Sequence, residues 1–289
     1  MAWNDPLTTH LLDFLFELER NGLKTPLTIA GGFGLFLKRR YLAERKERTL
    51  LDMHRARATE DIDIFVRLDV LCDLQQSQSI VDTLHHLGYE AVEEAKYMQW
   101  KKPIELSGLT GSIKIDFLVK NVDARRRDLH IKEIRVRNPQ VEGFHARITP
   151  EALLIDEKAL EIPLSGRRSD GEEYETRICI PHPFTYLIMK LFAFRDRQDD
   201  LNKQHHAFDV FSIVGLLTER ELDETIELGT HHAQEPTVRE ARQIVKDCFT
   251  GTSPSGMIAI KTHPLFQSFG AEHYDAFLET LMEVFGVIL

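Results

Sequence analysis

The chain has 289 residues, 43% of them apolar and 28% charged, with 16 Gly and 11 Pro. These proportions exclude collagen, low-complexity disorder and a coiled-coil rod, and the length allows about two domains of roughly 150 residues, each able to bury a core. The 36 Lys and Arg against 46 Asp and Glu give a net charge of −10, which argues against a general nucleic-acid coat protein but leaves room for a local basic groove.

Residues 7–20 set Leu7, Leu11, Leu12, Leu15 and Leu18 at helical spacing, and Asn21-Gly22 supplies a helix stop. LTIA (27–30) reads as a short buried strand that runs straight into Gly31-Gly32. The segment FGLFLKRRYLAERKER has no breaker after Gly34 and reads as a helix that becomes strongly basic. DIDIFVRL (61–68) alternates, with Ile62, Ile64 and Val66 on one face and Asp61, Asp63 and Phe65 on the other. Residues 69–88 read as helical and end at Gly88, and 89–106 as a strand pair or a strand plus loop. SIKIDFLV (112–119) is a second alternating strand, with Lys114 and Asp116 on one face.

This succession predicts an α+β fold: a mixed sheet flanked by helices over residues 1–145, a mixed β linker over 146–180, and a helical C-terminal domain over 181–289. Pro183 suits the first turn of the helix that opens the last part. Helical patterns follow at 184–197, 205–217, 219–229, 235–248 and 273–287.

Asp61 and Asp63, two apart on one strand, project from the same face, and Asp116 holds an equivalent place on another strand. If those strands are neighbours, three carboxylates converge. Their repulsion calls for a cation, and hard oxygen ligands suit Mg²⁺ or Mn²⁺, which also bind phosphate. Gly31-Gly32 between a buried strand and a helix lets backbone N–H groups approach a triphosphate.

The runs IAGGFGLFL, ATEDIDIFV and IKIDFLV together resemble the DNA-polymerase-β-type nucleotidyltransferase superfamily, and within it the AbiEii-type toxins of bacterial toxin–antitoxin and phage-defence systems. The segment YLIMKLFAFRDRQDDLNKQHHAFDVFSIV matches that family's helical Lys and later Asp with Lys190 and Asp209. The resemblance implies that Gly31 and Gly32 hold the phosphates of an NTP, and that Asp61, Asp63 and Asp116 bind the metal, with Asp116 a candidate general base. It implies that Lys190 contacts the triphosphate and Asp209 orients it, with Arg57 and Lys114 as further phosphate contacts. It also implies a tRNA 3′ end as acceptor and a cognate antitoxin as partner. One departure is the spacer of 28 residues between Gly32 and Asp61, longer than the family's usual one.

The function expected is therefore Mg²⁺-dependent transfer of a nucleoside monophosphate from an NTP to an acceptor hydroxyl. Two alternatives stay open: an antibiotic nucleotidyltransferase of the aminoglycoside-modifying kind, and a non-catalytic binding or antitoxin module on the same fold. Two basic groups, one from Lys38 to Arg57 and one from Arg125 to Arg137, are read either as RNA contacts or as solvated faces. His205-His206 and His231-His232 are read as surface or capping residues, and Trp100 and Phe33 as core. Cys72, Cys179 and Cys248 are odd in number and widely spaced, without basic neighbours in sequence, so neither a disulfide framework nor a thiol nucleophile is expected. That cysteine use, no signal-peptide pattern at the N-terminus and no run of 18 apolar residues predict a cytoplasmic chain without a membrane span.

Overall fold

The computed structural model describes residues 5–23, 27–53, 59, 61–106, 109–123, 125–197, 203–250 and 254–287. Helix α1 (Pro6–Arg20) starts at Asp5, whose side chain accepts from the Thr8 N–H, with Pro6 in the first turn. It stops where Gly22 turns left-handed at φ +91° and the Leu23 N–H reaches back to the Leu18 carbonyl at 2.9 Å. Strand β1 (Thr28–Ala30) passes directly into α2 (Gly31–Arg45), and β2 is Asp61–Phe65. Then come α3 (Leu68–Cys72), α4 (Leu74–His86), β3 (Glu90–Ala91), β4 (Gln99–Leu106) and β5 (Leu109–Lys120). Three short strands follow, β6 (His130–Lys132), β7 (Arg135–Arg137) and β8 (Ala146–Thr149), and then the hairpin β9 (Leu160–Arg167) and β10 (Glu173–Ile180).

All these strands join one mixed sheet in the order β6-β7-β8-β5-β2-β1-β10-β9, with β4 along β5 and β3 along β4. Strands β2 and β5 are parallel neighbours, β1 is antiparallel to β2, and β1 is parallel to β10. Ile62, Ile64, Ile115 and Phe117 are fully buried. The Phe117 ring lies 6.2 Å from that of Phe14 on α1, so α1 covers this face, and α1 packs in turn on α4. The opposite face carries Asp61, Asp63, Lys114 and Asp116, all half-buried.

The helical part contains α5 (Pro183–Asp196), α6 (Lys203–Gly215), α7 (Glu219–His231), α8 (Pro236–Val245), a π turn (Lys246–Thr250), α9 (Ser255–Thr262), a 3₁₀ turn (Pro264–Ser268) and α10 (Ala271–Phe285). Helix α5 is buried on every side from Pro183 to Phe192, as a central helix must be, and packs on α6, α7 and α8. No helix among the described residues is long and apolar enough to cross a membrane.

The chain divides into two compact units made of interleaved stretches. One takes residues 1–34, 58–150 and 159–181, and the other 35–57, 151–158 and 182–289. The expected α+β class is the one found. A boundary falls between 181 and 182, beside the expected break at 180, and none falls at 145. The stretch 146–180, expected as a mixed β linker, supplies β8, β9 and β10 to the one sheet, with β10 pairing along β1. Strands β6 and β7 and helix α9 were not predicted, being too short for periodicity to register.

Candidate functional site

The carboxylate face is built by register. Asp63 pairs with Asp116 across the parallel β2–β5 ladder, and Asp61 pairs with Lys114. On the other edge of β5, Gln99 opposes Asp116 and donates Nε2 to both of its carboxylate oxygens at 3.0 Å. Burial, then the neighbouring Asp63 charge, and to a lesser degree Asp61, push the Asp116 pKa up to about 7, against the Gln99 hydrogen bond and the Lys114 charge. The Lys114 ammonium lies 3.7 Å from Asp61 Oδ1, and that oxygen is shielded from solvent with no hydrogen bond among the described residues.

Gly31 completes this cluster. It has φ +65°, and a Cβ added there would overlap Asp63 Oδ2 and lie 2.8 Å from Asp63 Cγ. The antiparallel register of Ala30 with Asp63 puts the start of α2 beside that carboxylate. The 28-residue spacer thus leaves Gly31 next to Asp63. Gly32 is buried in the first turn of α2. Gln99 carried no signal in the sequence, since its role arises only from pairing with β5.

Among the described residues, no three His, Cys, Asp or Glu side chains stand close enough to hold a metal ion together. The three aspartates share one face and interact electrostatically, but they do not form the closed ligand set expected from the sequence. The donor set still fits a hard cation. Asp116 is held away from its charged form by burial and then by its carboxylate neighbours, and Asp61 Oδ1 is an acceptor without a hydrogen bond among the described residues. Mg²⁺ is commonly held by one or two carboxylates, the remaining positions going to water and substrate phosphates.

In the other unit, Lys190 on α5 and Asp209 on α6 form a buried ion pair, Nζ to Oδ2 2.7 Å, with side chains 10% and 2% exposed. Lys38, read as part of a basic patch, is instead 2% exposed, and its Nζ lies 2.8 Å from Glu221 Oε1. It is unavailable to RNA. Arg57 lies outside the described residues.

The second basic group divides. Arg125 and Arg126 are neutralised locally by Asp123 and Asp128, whereas Lys132, Arg135 and Arg137 border a cavity of about 590 Å³. Cys72, without basic neighbours in sequence, has the Arg126 guanidinium 3.1 Å from its Sγ. Burial and the hydrogen bond with Asp128 nevertheless push its pKa up, so it is no activated nucleophile. His206 is buried with Nε2 3.0 Å from Arg197, contrary to a surface reading, and His205 meets His263 at 3.1 Å. Trp100 and Phe33 are core residues, each 1% exposed.

No protein-family model and no curated protein matches the chain. Among solved structures it is similar to the crystal structure of an antigenic nucleotidyltransferase-like protein from Paracoccidioides brasiliensis, at 14% identity and a TM-score of 0.42, covering 83% of this chain and 93% of that one.

Proposed function

We propose that this chain is a divalent-cation-dependent nucleotidyltransferase that moves a nucleoside monophosphate from an NTP to a hydroxyl at the end of an RNA, with the tRNA 3′ end the leading acceptor. One observation above others supports this reading: Gly31 at the start of α2 is fitted against Asp63, and Asp63 stands opposite Asp116 on the adjacent parallel strand.

In this reading the N-terminus of α2 offers backbone N–H groups and a partial positive charge to the NTP phosphates. Asp61 and Asp63 would hold Mg²⁺ or Mn²⁺, which when bound would supply charge to offset the phosphates and to favour ionisation of the hydroxyl. Asp116, opposite Asp63 on the adjacent strand, accepts the proton of the acceptor hydroxyl. The hydroxyl oxygen bonds to the α-phosphorus, the bond from that phosphorus to the pyrophosphate oxygen breaks, and pyrophosphate leaves with the electron pair. Gln99 keeps the Asp116 carboxylate in one orientation. The parts of Lys190 and Asp209, the toxin or phage-defence role and a cognate antitoxin rest on the family resemblance.

The test is incubation of the protein with each α-labelled NTP, Mg²⁺ and total bacterial RNA, beside an Asp63→Ala control, on a denaturing gel. Label on tRNA-sized RNA with the wild type alone is the expected result. No label with any NTP defeats the RNA reading, and a drug panel then tests a small-molecule acceptor.

A further inference from the structure

The carboxylates do not have their face of the sheet to themselves. Residues two apart on a strand share a side, and so do register partners on adjacent strands. Leu118, two residues after Asp116, pairs with Arg147 on β8, Arg147 pairs with Arg135 on β7, and Arg135 pairs with Lys132 on β6. A row of three cations therefore crosses three strands on the side that bears Asp61, Asp63 and Asp116. By strand spacings alone, Arg147, Arg135 and Lys132 lie roughly 8, 12 and 16 Å from Asp116. A second pair, His130 with Arg137, runs alongside. The intervening Val136 and Ala146 are fully buried on the other side.

Like charges set opposite one another on neighbouring strands destabilise a sheet. Elsewhere the fold places acids beside its cations, as at Arg125, Arg126 and Arg177. Here Glu133, in the β6–β7 turn, is hydrogen-bonded by Lys96 at 3.2 Å and reaches Arg135 and Lys132 only through longer-range attraction, and Glu142 borders the cavity. Arg135 Nε is shielded from water and has no acceptor among the described residues, a donor that an added anion would satisfy. Tyr97 and His145 close one side of the cavity, their ring centroids 5.8 Å apart.

We infer that this face is a groove for the phosphate backbone of a single RNA strand whose end reaches the carboxylates. The inference rests on the transferase reading and adds how its acceptor is held. Backbone phosphates lie along Arg147, Arg135 and Lys132, and Tyr97 offers a half-exposed ring on which a base stacks. A small cationic drug would be repelled by the same row.

The test is fluorescence anisotropy with a labelled oligoribonucleotide of about 12 nucleotides, titrated with the full chain at several salt concentrations. Lys132→Glu and Arg147→Glu both alter exposed side chains, and thermal melts check that each variant folds. Arg125→Glu, outside the row, is the charge-matched control. The row variants are expected to bind about tenfold more weakly, with the salt slope reduced by about 0.7 for each phosphate no longer neutralised, and the control within about twofold of wild type.

Three results overturn the groove: no binding by the wild type, equal weakening by Arg125→Glu, or competition by inorganic phosphate or phosphatidylserine vesicles as strong as that by unlabelled RNA at equal phosphate. Failure of the transferase reading shows separately. In that case Lys132 and Arg147 still govern RNA binding, but no NTP labels RNA.

Discussion

Gly31 and Asp63 constrain each other. The positive φ of Gly31 costs any L side chain about 1–2 kcal/mol, and the Asp63 carboxylate already fills the space where that side chain would begin. Gly31→Ala is expected to destabilise the fold and to abolish nucleotidyl transfer. In an Asp63→Ala background it should cost about 1 kcal/mol less, leaving mainly the φ penalty; a double-mutant cycle of thermal or urea melts reads this coupling, and strict additivity refutes it.

Asp116 makes a second prediction, in pH. Its folded pKa of about 7 stands above the usual carboxylate value. Between about pH 4 and 7 the native state keeps a proton that the unfolded chain has released, so stability falls as pH rises through that window. Above it the full cost is present. Asp116→Asn should therefore stabilise the protein at pH 8, on the order of 2 kcal/mol, with the gain vanishing toward pH 4. Melts at both pH values check the sign. Mg²⁺ should likewise raise the wild-type melting temperature at pH 8, and Asp63→Ala should remove that effect.

Between elements, the decisive contacts are buried ion pairs. Lys190 and Asp209 tie α5 to α6 at 2.7 Å, both side chains buried. Removing one partner strands a buried charge, so Lys190→Met or Asp209→Leu alone should cost about 3–5 kcal/mol, and the double replacement should recover most of the loss. Denaturant melts of the three variants decide it. A double variant as unstable as the singles contradicts the assignment of a structural component to this pair. Glu221 serves two elements at once: Oε2 accepts from the Thr218 backbone N–H in the capping box of α7, and Oε1 meets Lys38 of α2. The capping contact spans three residues, whereas the second partner lies far away in the chain and is brought to it only by the fold.

At the scale of the whole chain, one sheet is drawn from residues 28 to 180, and β1 lies between β2 and β10. A fragment ending at residue 145 lacks β8, β9 and β10. It leaves the parallel edge of β1 unpaired and the Leu118–Lys120 segment of β5 without its β8 partner. Such a fragment should give no cooperative thermal transition, which circular dichroism can test. The net charge of −10 coexists with the basic row on β6–β8 because an overall balance is silent about where cations collect.

The sequence by itself determined what depends on neighbours a few residues away. Periodicity marked α1, β2, β5 and α5, and Gly22 and Pro183 marked helix ends, because local hydrogen bonding and backbone sterics set these features. It also set Asp61 and Asp63 on one side of a strand, since a strand's period of two leaves no other choice. Tertiary structure decided every pairing across the sheet: Asp63 with Asp116, Gln99 with Asp116, and Arg147 with Arg135 and Lys132. It also decided that Lys38 is an ion-paired core residue and not part of a surface patch. Register, burial and counter-charge are relations between segments far apart in the chain, and only the folded sheet and helices bring those segments within range of one another.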